Sequence, residues 1–192
     1  MRTLGLAVLI AGCALSQAQR KPGLYAVFET SEGRITAKLY EKEVPNTVRN
    51  FVALARGEKA WLDPVARKAV KRPLYDGITF HRVVSGEMIQ AGDPTGLGTH
   101  NCGVRLRDEF LPGLRFDGSG KLAMANTGEP DSGGCQFFIT EGPMQTWNGK
   151  YAIFGYVVEG QNVVHKIAQG KVRGDRPVDP VKLIRVVIER VE

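Results

Sequence analysis

The feature that most constrains the fold is a series of short apolar segments with glycine-rich connections between them. The segments lie at 78–84, 121–125, 136–140 and 152–158, and the chain ends in VKLIRVVIERV, which is rich in β-branched residues. Such segments are typical of strands. There is no alternation of strand and helix patterns that would indicate a parallel sheet. The sequence therefore predicts a mainly β, antiparallel fold.

A hairpin and two helices complete the pattern. Residues 25–40 alternate apolar and polar side chains on either side of a Ser-Glu-Gly turn, as expected for a hairpin. Apolar residues with helical spacing follow Pro45, and Gly57 closes that segment. A second helix is predicted at 161–169, with Gly170 as its stop. Many strands with only two helices predict a closed antiparallel barrel with helical covers.

The beginning of the chain has a different character. After Met1-Arg2 comes an apolar run that is too short to span a bilayer, which is typical of an export signal. Two processing routes are open: release after Ala18, or lipidation of Cys13, which ends a segment resembling a bacterial lipobox. Residues 1–23 are thus predicted to be a signal and short linker, and 24–192 one domain. The protein is expected to be periplasmic, secreted or lipid-anchored to a bacterial membrane.

Charge gives little support for a nucleic-acid partner. The 192 residues carry a formal charge of +6, densest between Arg56 and Arg72, where Trp61 is the only aromatic residue. A surface for single-stranded nucleic acid combines basic residues with several aromatic ones. The basic stretch is therefore interpreted as a solvated insertion, and no nucleic acid is expected.

The polar residues do not assemble into proton-transfer or metal chemistry. No serine lies in a G-x-S-x-G elbow, and the histidines have no partner at a recognisable spacing. His81, inside a predicted strand, is interpreted as a structural, hydrogen-bonded histidine. His100, Cys102 and Cys135 would lack a fourth zinc ligand, so a metal-dependent hydrolase is the weakest hypothesis. No metal and no cofactor are expected.

Several motifs carry a specific resemblance. The segments FHRVVSGEMIQAGD, MANTG, GGCQFFIT and NGKYAIFG, together with VPNTVRNFVALARGE, resemble the signatures of the cyclophilin family of peptidyl-prolyl isomerases, in the family's order. The resemblance spans roughly 25–191, and the insertion before YDGITFHRV resembles the bacterial exported branch. It implies an eight-stranded antiparallel barrel capped by two helices. It also implies a monomer that accelerates rotation about Xaa-Pro bonds in exported proteins, assisting their folding.

The resemblance also assigns the site. Arg82 is expected as the catalytic group, with Gln90 and Phe138 beside it. The residues expected to bind a proline-containing polypeptide are Phe80, Met88, Ala125, Asn126, Gln136, Trp147 and Tyr151. Strand alternation places Phe137 and Phe138 on opposite faces, so one faces the core and the other can face a ligand.

Departures from the family's pattern leave two questions open. Glu87 replaces a usual pocket phenylalanine, and Thr146 stands where many members have tryptophan. These positions support an alternative in which the domain binds peptides, as a chaperone module does, with weak or no turnover. By the resemblance, Cys135 lies at the rim of the pocket and Cys102 in a loop passing near it. The two are expected either to form a disulfide or to remain small, inert thiols.

Overall fold

The computed structural model describes residues 20–192. Cys13 and Ala18, on which the two processing routes depend, lie outside the described residues. The longer strands are β1 (Gly23–Thr30), β2 (Gly33–Leu39), β7 (Met88–Ala91), β8 (Lys121–Met124), β9 (Phe137–Thr140), β10 (Ile153–Glu159) and β13 (Lys182–Val191). The shorter ones are β3 (Trp61–Asp63), β4 (Lys68–Val70), β5 (Ile78–Thr79), β6 (Arg82–Val84), β11 (Val172–Arg173) and β12 (Arg176–Pro177). The helices are α1 (Pro45–Ala55), α2 (Gln161–Ala168) and a 3-10 turn at Gln145–Trp147.

The main sheet has nine antiparallel strands and is open, in the order β5-β13-β1-β2-β10-β8-β9-β7-β6. Within residues 20–192 the fold is mainly β with two α-helices, as predicted. The expected closed eight-stranded barrel is wrong, because no ladder joins β5 to β6 at the two ends of the sheet. These two edge strands are nevertheless consecutive in the chain, so the sheet is strongly curled.

The sheet is open because of a local change at Phe80 and His81. The strand predicted at 78–84 is broken there, because the backbone changes hydrogen-bonding partner between these two residues. The Phe80 amide donates to the Val181 carbonyl beside β13, whereas the His81 amide donates to the Gln90 carbonyl on β7. One predicted strand therefore becomes β5 and β6, and the strand count rises from eight to nine.

The predicted hairpin and helices are present. Thr30 stabilises the turn between β1 and β2, since its hydroxyl donates to the Gly33 carbonyl and accepts from the Glu32 amide. Proline begins α1, where the absence of its N–H costs nothing. The remote Glu109 carboxylate then accepts the Asn46 and Thr47 amides of the first turn. Helix α2 ends at Ala168, within one residue of the prediction.

The basic insertion contains a hairpin that the sequence reading missed. Strands β3 and β4 pair within it, and the Trp61 ring is buried with the Arg72 guanidinium over its face. The Leu62 amide donates to the Cys102 carbonyl, and the Leu62 carbonyl lies 2.8 Å from the His100 ring. The insertion therefore supports the loop around Cys102.

The interior between the curled sheet and α1 is filled by aromatic side chains in contact. Phe51 of α1 lies 5.0–5.6 Å, centroid to centroid, from the rings of Tyr75, Phe137 and Phe154. Burying each such ring is worth about 1.5–3 kcal/mol. This packing fixes the strands that carry the site.

Contacts of the folded unit already include Arg20, within the segment expected to be signal and linker. Its side chain is 5% exposed and pairs with Glu159 and Glu189 at 3.0 and 2.7 Å. Within residues 20–192, no helix is long and apolar enough to cross a membrane.

Gly92, directly after β7, allows a close approach of two backbones. Its φ is +102°, and a Cβ there would overlap the Cys135 carbonyl and lie 2.6 Å from the Gln136 Cα. Gly77 has a similar φ of +76° but nothing within 4 Å of its Cβ position. The two glycines share the conformational requirement and differ in the space around them.

We predict that Gly92→Ala destabilises the fold more than Gly77→Ala. Both variants incur left-handed strain of about 1–2 kcal/mol, but only the first must separate the chain after β7 from 135–136. The added overlap should lower the free energy of unfolding by a further ~1–3 kcal/mol. Chemical denaturation of both variants measures the difference. Equal losses would contradict the close approach.

Candidate active site

The central site residues form one row across neighbouring strands. Arg82 on β6 is directly opposite Gln90 on β7, which is opposite Phe138 on β9. Directly opposed residues in an antiparallel sheet point to the same face. With strands about 4.8 Å apart, Arg82 and Phe138 are separated by roughly 10 Å along the sheet. The three residues expected to be catalytic are therefore brought together.

A chain of hydrogen bonds connects the polar members of this face. The Arg82 Nη1 donates to Gln90 Oε1 at 3.3 Å, and Gln90 Nε2 donates to Gln136 Oε1 at 2.8 Å. Gln136 Nε2 in turn donates to the carbonyls of Gly98 and His100, at 3.1 and 3.0 Å. Each side-chain amide is thus oriented by its neighbours, and the chain ends on loop backbone.

Asp175 binds the opposite side of the Arg82 guanidinium and was not predicted from the sequence. The Arg82 Nε lies 2.7 Å from Asp175 Oδ2, and the two side chains are 45% and 55% exposed. The hydrogen bond from Arg82 is the largest cause that lowers the pKa of the Asp175 carboxyl. Asp175 lies in the turn between β11 and β12, far from the matched motifs in sequence, so only the fold reveals the pairing.

Beside the polar row lies a cluster of apolar and aromatic side chains. Its buried members are Met88, Phe116, Ala123, Phe138 and Ile153. Trp147 and Tyr151 are half-buried, and their rings stand edge-on to Phe138, each with its centroid 5.3 Å away. Of the residues expected to bind a proline-containing polypeptide, Met88, Ala125, Trp147 and Tyr151 therefore lie together at this face. Phe116, stacked on Phe138 at 5.9 Å, was missed.

The two neighbouring phenylalanines have different environments, as strand alternation predicted. Phe137 contacts Phe28, Phe51 and Tyr75 in the interior. Phe138 belongs to the outer cluster with Trp147 and Tyr151. Phe138 is thus the member of the pair that borders the site.

Ala125 and Asn126 follow β8 at the edge of the site. The Ala125 amide donates to the Gln136 carbonyl at 3.0 Å. The Asn126 side chain donates to the Lys150 carbonyl and accepts the Gly128 amide, so it holds the turn. Both residues are half-buried and line the same cavity as Gln90 and Gln136.

The expected contact of Phe80 with a peptide is wrong. Phe80 is fully buried and belongs to the interior cluster. Spacing of two would place it on the face of Arg82 in a continuous strand, but the strand is broken at 80–81. Phe80 therefore packs behind the site.

Next to the row is a cavity of about 130 Å³, lined in part by Gly98, His100, Asn126 and Gln136. Cys135 lines it too and forms a disulfide with Cys102, 33 residues away, with Cα atoms 6.2 Å apart. Of the two states left open by the sequence, the structure has the bridge. It joins the loop that accepts the Gln136 hydrogen bonds to the residue preceding Gln136.

The histidines do not form a proton-transfer apparatus. His81 is buried, and burial is the largest cause that lowers its pKa. Its burial agrees with the predicted structural role. His165 is exposed and lies 2.6 Å from Glu141 on another face. In the described part of the chain, no three His, Cys, Asp or Glu side chains group as metal ligands.

Comparison with known proteins identifies the family. Residues 25–188 match the family model described as cyclophilin type peptidyl-prolyl cis-trans isomerase/CLD. The chain belongs to the cyclophilin family of peptidyl-prolyl cis-trans isomerases. The predicted enzyme class is confirmed.

Individual relatives agree with this assignment. Peptidyl-prolyl cis-trans isomerase B of Streptomyces anulatus is 45% identical over 170 residues, which cover 86% of this chain and 97% of that protein. The human peptidyl-prolyl cis-trans isomerase-like 1 is 42% identical over 168 residues, covering 85% and 90%. A Cryptosporidium parvum cyclophilin crystallised in the presence of the dipeptide Ala-Pro superposes with a TM-score of 0.74 at 28% identity, covering 86% and 98%.

We predict that alanine separates the roles of the two phenylalanines in this cyclophilin. Phe137→Ala should lower the free energy of unfolding by about 3–5 kcal/mol, because it leaves a cavity in the interior. Phe138→Ala should cost less stability, because the half-buried Trp147 and Tyr151 can move toward the gap, but it should reduce turnover of a Xaa-Pro peptide more. Unfolding curves and isomerase rates are measured on both. A folded Phe138→Ala with wild-type turnover would contradict the site.

A second prediction concerns the bridge. Replacing Cys102 and Cys135 by serine removes a loop closure worth about 3–4 kcal/mol in the chain-entropy model. The double variant should therefore unfold at lower denaturant concentration than the oxidised wild type. Because the bridge fixes the loop that lines the cavity, the variant should also change its preference for the residue before proline. Unchanged stability and unchanged preference would show that the bridge has neither role.

Proposed function

We propose that this cyclophilin accelerates Xaa-Pro rotation in exported proteins and that Arg82 is its catalytic group. The observation that carries the proposal is the single row of Arg82, Gln90 and Phe138, which sets a guanidinium beside the apolar cluster around Phe138. This arrangement suits a reaction in which one side of an amide is held while the other turns. It requires a proline-containing polypeptide and no cofactor.

The barrier explains the need for a fixed cation. Twisting an amide breaks the resonance that flattens it, against a barrier of about 18–20 kcal/mol. The prolyl nitrogen then becomes pyramidal and recovers its lone pair. A donor aimed at that nitrogen stabilises the twisted state more than the planar one. Arginine suits this role because it remains charged and presents a rigid fork of donors.

The guanidinium of Arg82 has donors left for this role. Arginine carries five N–H groups. Within residues 20–192, Asp175 accepts the one on Nε and Gln90 accepts one on Nη1. The remaining Nη donors can therefore reach a bound peptide.

The apolar cluster is proposed to hold the proline ring while the rest of the amide turns. Placing the three ring CH₂ groups of proline against Met88, Phe138 and Trp147 would contribute roughly 2 kcal/mol. The edge at Ala125 and Asn126 is proposed to bind peptide backbone, with Gln136 beside it. Gln90 is proposed to hydrogen-bond a substrate carbonyl, because only one hydrogen of its Nε2 is used by Gln136. The Cryptosporidium protein, crystallised in the presence of Ala-Pro, supports a proline-containing partner for this chain.

Export is proposed from the first residues and supported by the bridge. The apolar run after Arg2 has the features of a signal, and disulfides persist in oxidising compartments. We propose a monomer of the bacterial exported branch, periplasmic, secreted or anchored through lipid on Cys13. Mass spectrometry of the mature N-terminus decides the route. Cleavage after Ala18 gives a released protein, a lipid-modified Cys13 gives an anchored one, and an intact Met1 in the cytoplasm would contradict export.

We predict that Arg82→Ala reduces isomerisation strongly and leaves the fold intact. Loss of a transition-state contact of about 3–4 kcal/mol lowers the rate by roughly 10²–10³. A protease-coupled assay with a Xaa-Pro peptide measures the rate, and circular dichroism checks the fold. Arg190→Ala is the matched control, because Arg190 is 48% exposed and also paired with a carboxylate, at 2.6 Å. Near-wild-type activity of Arg82→Ala would overturn the mechanism.

The same assay separates the enzyme from the peptide-binding alternative. Glu87 follows the β6–β7 turn directly before Met88 and places a carboxylate where an apolar pocket wall is usual. A wild-type protein that binds a proline peptide but does not accelerate its isomerisation would favour the binding module.

A further inference from the structure

We propose that Asp175 is a positioning residue for isomerisation, which fixes the guanidinium of Arg82 so that its Nη edge meets the substrate. The inference rests on the proposed catalytic role of Arg82. It concerns a residue outside the row, contributed by the β11–β12 hairpin, whose turn docks on the edge strand β6.

Two bonds place Asp175 with respect to Arg82. Its main-chain carbonyl accepts the Val83 amide at 2.7 Å, one residue beyond Arg82. Its carboxylate accepts the Arg82 Nε–H at 2.7 Å. The first bond fixes the backbone of the turn that carries the carboxylate, so the carboxylate starts close to Arg82. A further tie runs from Arg176 Nη2 to the Gly96 carbonyl at 3.1 Å.

The geometry decides which donors face the peptide. Asp175 occupies Nε, at the inner end of the planar group, and Gln90 accepts one hydrogen of Nη1. Because N–H donors of a guanidinium lie in its plane, these two bonds favour one orientation of the plane and so one direction for the third nitrogen, Nη2. A flexible arginine that is 45% exposed would otherwise sample many rotamers and rarely present the productive one.

An opposing effect makes the proposal testable. A carboxylate beside the guanidinium also weakens its positive field at the prolyl nitrogen. If field strength limited the reaction, removing Asp175 would raise the rate. If orientation limits it, removal lowers the rate. The exposed pair is strongly screened by water, so its field effect is small and orientation is expected to dominate.

The experiment compares Asp175→Ala, Asp175→Asn and the control Asp179→Asn, which removes one acidic charge from the exposed segment just after the same hairpin. Turnover and KM are measured separately by NMR exchange on a Xaa-Pro peptide. Asp175→Ala should lower kcat about threefold to fivefold, within the range that an exposed ion pair can contribute, with KM within about twofold. Asp175→Asn keeps an acceptor oxygen and should recover part of the loss. Asp179→Asn should match wild type.

A spectroscopic readout ties the effect to Arg82. The Nε–H resonance of Arg82 should shift and exchange faster with solvent in Asp175→Ala, but not in Asp179→Asn. Unchanged or increased kcat in Asp175→Ala, no recovery in Asp175→Asn, or an unchanged Nε–H signal would each overturn the proposal.

The catalytic role of Arg82 is tested independently of Asp175, and it is wrong if Arg82→Ala remains active. A loss of activity in Asp175→Ala with an active Arg82→Ala would show that Asp175 does not act through Arg82. A loss in Arg82→Ala with full activity in Asp175→Ala would leave the catalytic role intact and overturn only the positioning role.

Discussion

The register of three strands is the constraint on which the site depends. Because Arg82, Gln90 and Phe138 are paired directly across β6, β7 and β9, they share one face without any loop having to bring them together. A slip of one residue would turn alternate side chains to the other face. It would place Ile89 and Ile139, now interior, beside Arg82. The burial of those isoleucines therefore fixes the register, so the apolar interior determines the chemistry outside.

The polar residues of the site are held by structure that lies beside the sheet. Gln136 is oriented by carbonyls of the loop around Gly98 and His100, and that loop is joined to Cys135 by the disulfide through Cys102. The β3–β4 hairpin supports the same loop through Leu62. On the opposite side, the β11–β12 hairpin holds Arg82 through Asp175. Elements from three separate parts of the sequence thus order one row of donors, and ordering before binding lowers the entropic cost of catalysis.

The features predicted from the sequence are those that depend on residues close together in the chain. Alternation gave the first hairpin, helical spacing with Gly57 and Gly170 gave the two helices, and motif resemblance gave Arg82, Gln90 and the pocket around Phe138. The sequence did not predict the break at Phe80 and His81, since it arises from a change of partner between β13 and β7. The expected closed barrel and the expected peptide contact of Phe80 are both wrong for this one reason.

Other features were not predicted from the sequence, for different reasons. Asp175 lies in a short polar turn whose sequence, RGDRP, has no apolar period, and its partner is 93 positions away. The β3–β4 hairpin lies in a charged insertion where Trp61 is the only aromatic residue. The Asp175 pairing depends on tertiary docking and leaves no signal in spacing. The hairpin does have a local signal, the turn at Asp63, whose carboxylate accepts the Val65 and Ala66 amides. The disulfide was predicted in part. The sequence identified Cys102 and Cys135 as possible partners, but only the fold shows that they are close enough to form a bond.

The pKa shifts of His81 and Asp175 favour constant charges near neutral pH, which agrees with a reaction that moves no proton. Burial lowers the pKa of His81, so this ring is held neutral behind the row. The hydrogen bond from Arg82 lowers the pKa of Asp175, so the carboxylate stays ionised as pH falls toward its ordinary range. Arginine is protonated at any physiological pH. An enzyme that relies on a constant cation in a constant orientation needs neighbours that hold the cation without exchanging protons with it. Asp175 and Gln90 are such neighbours, because one is a carboxylate with a lowered pKa and the other a neutral acceptor.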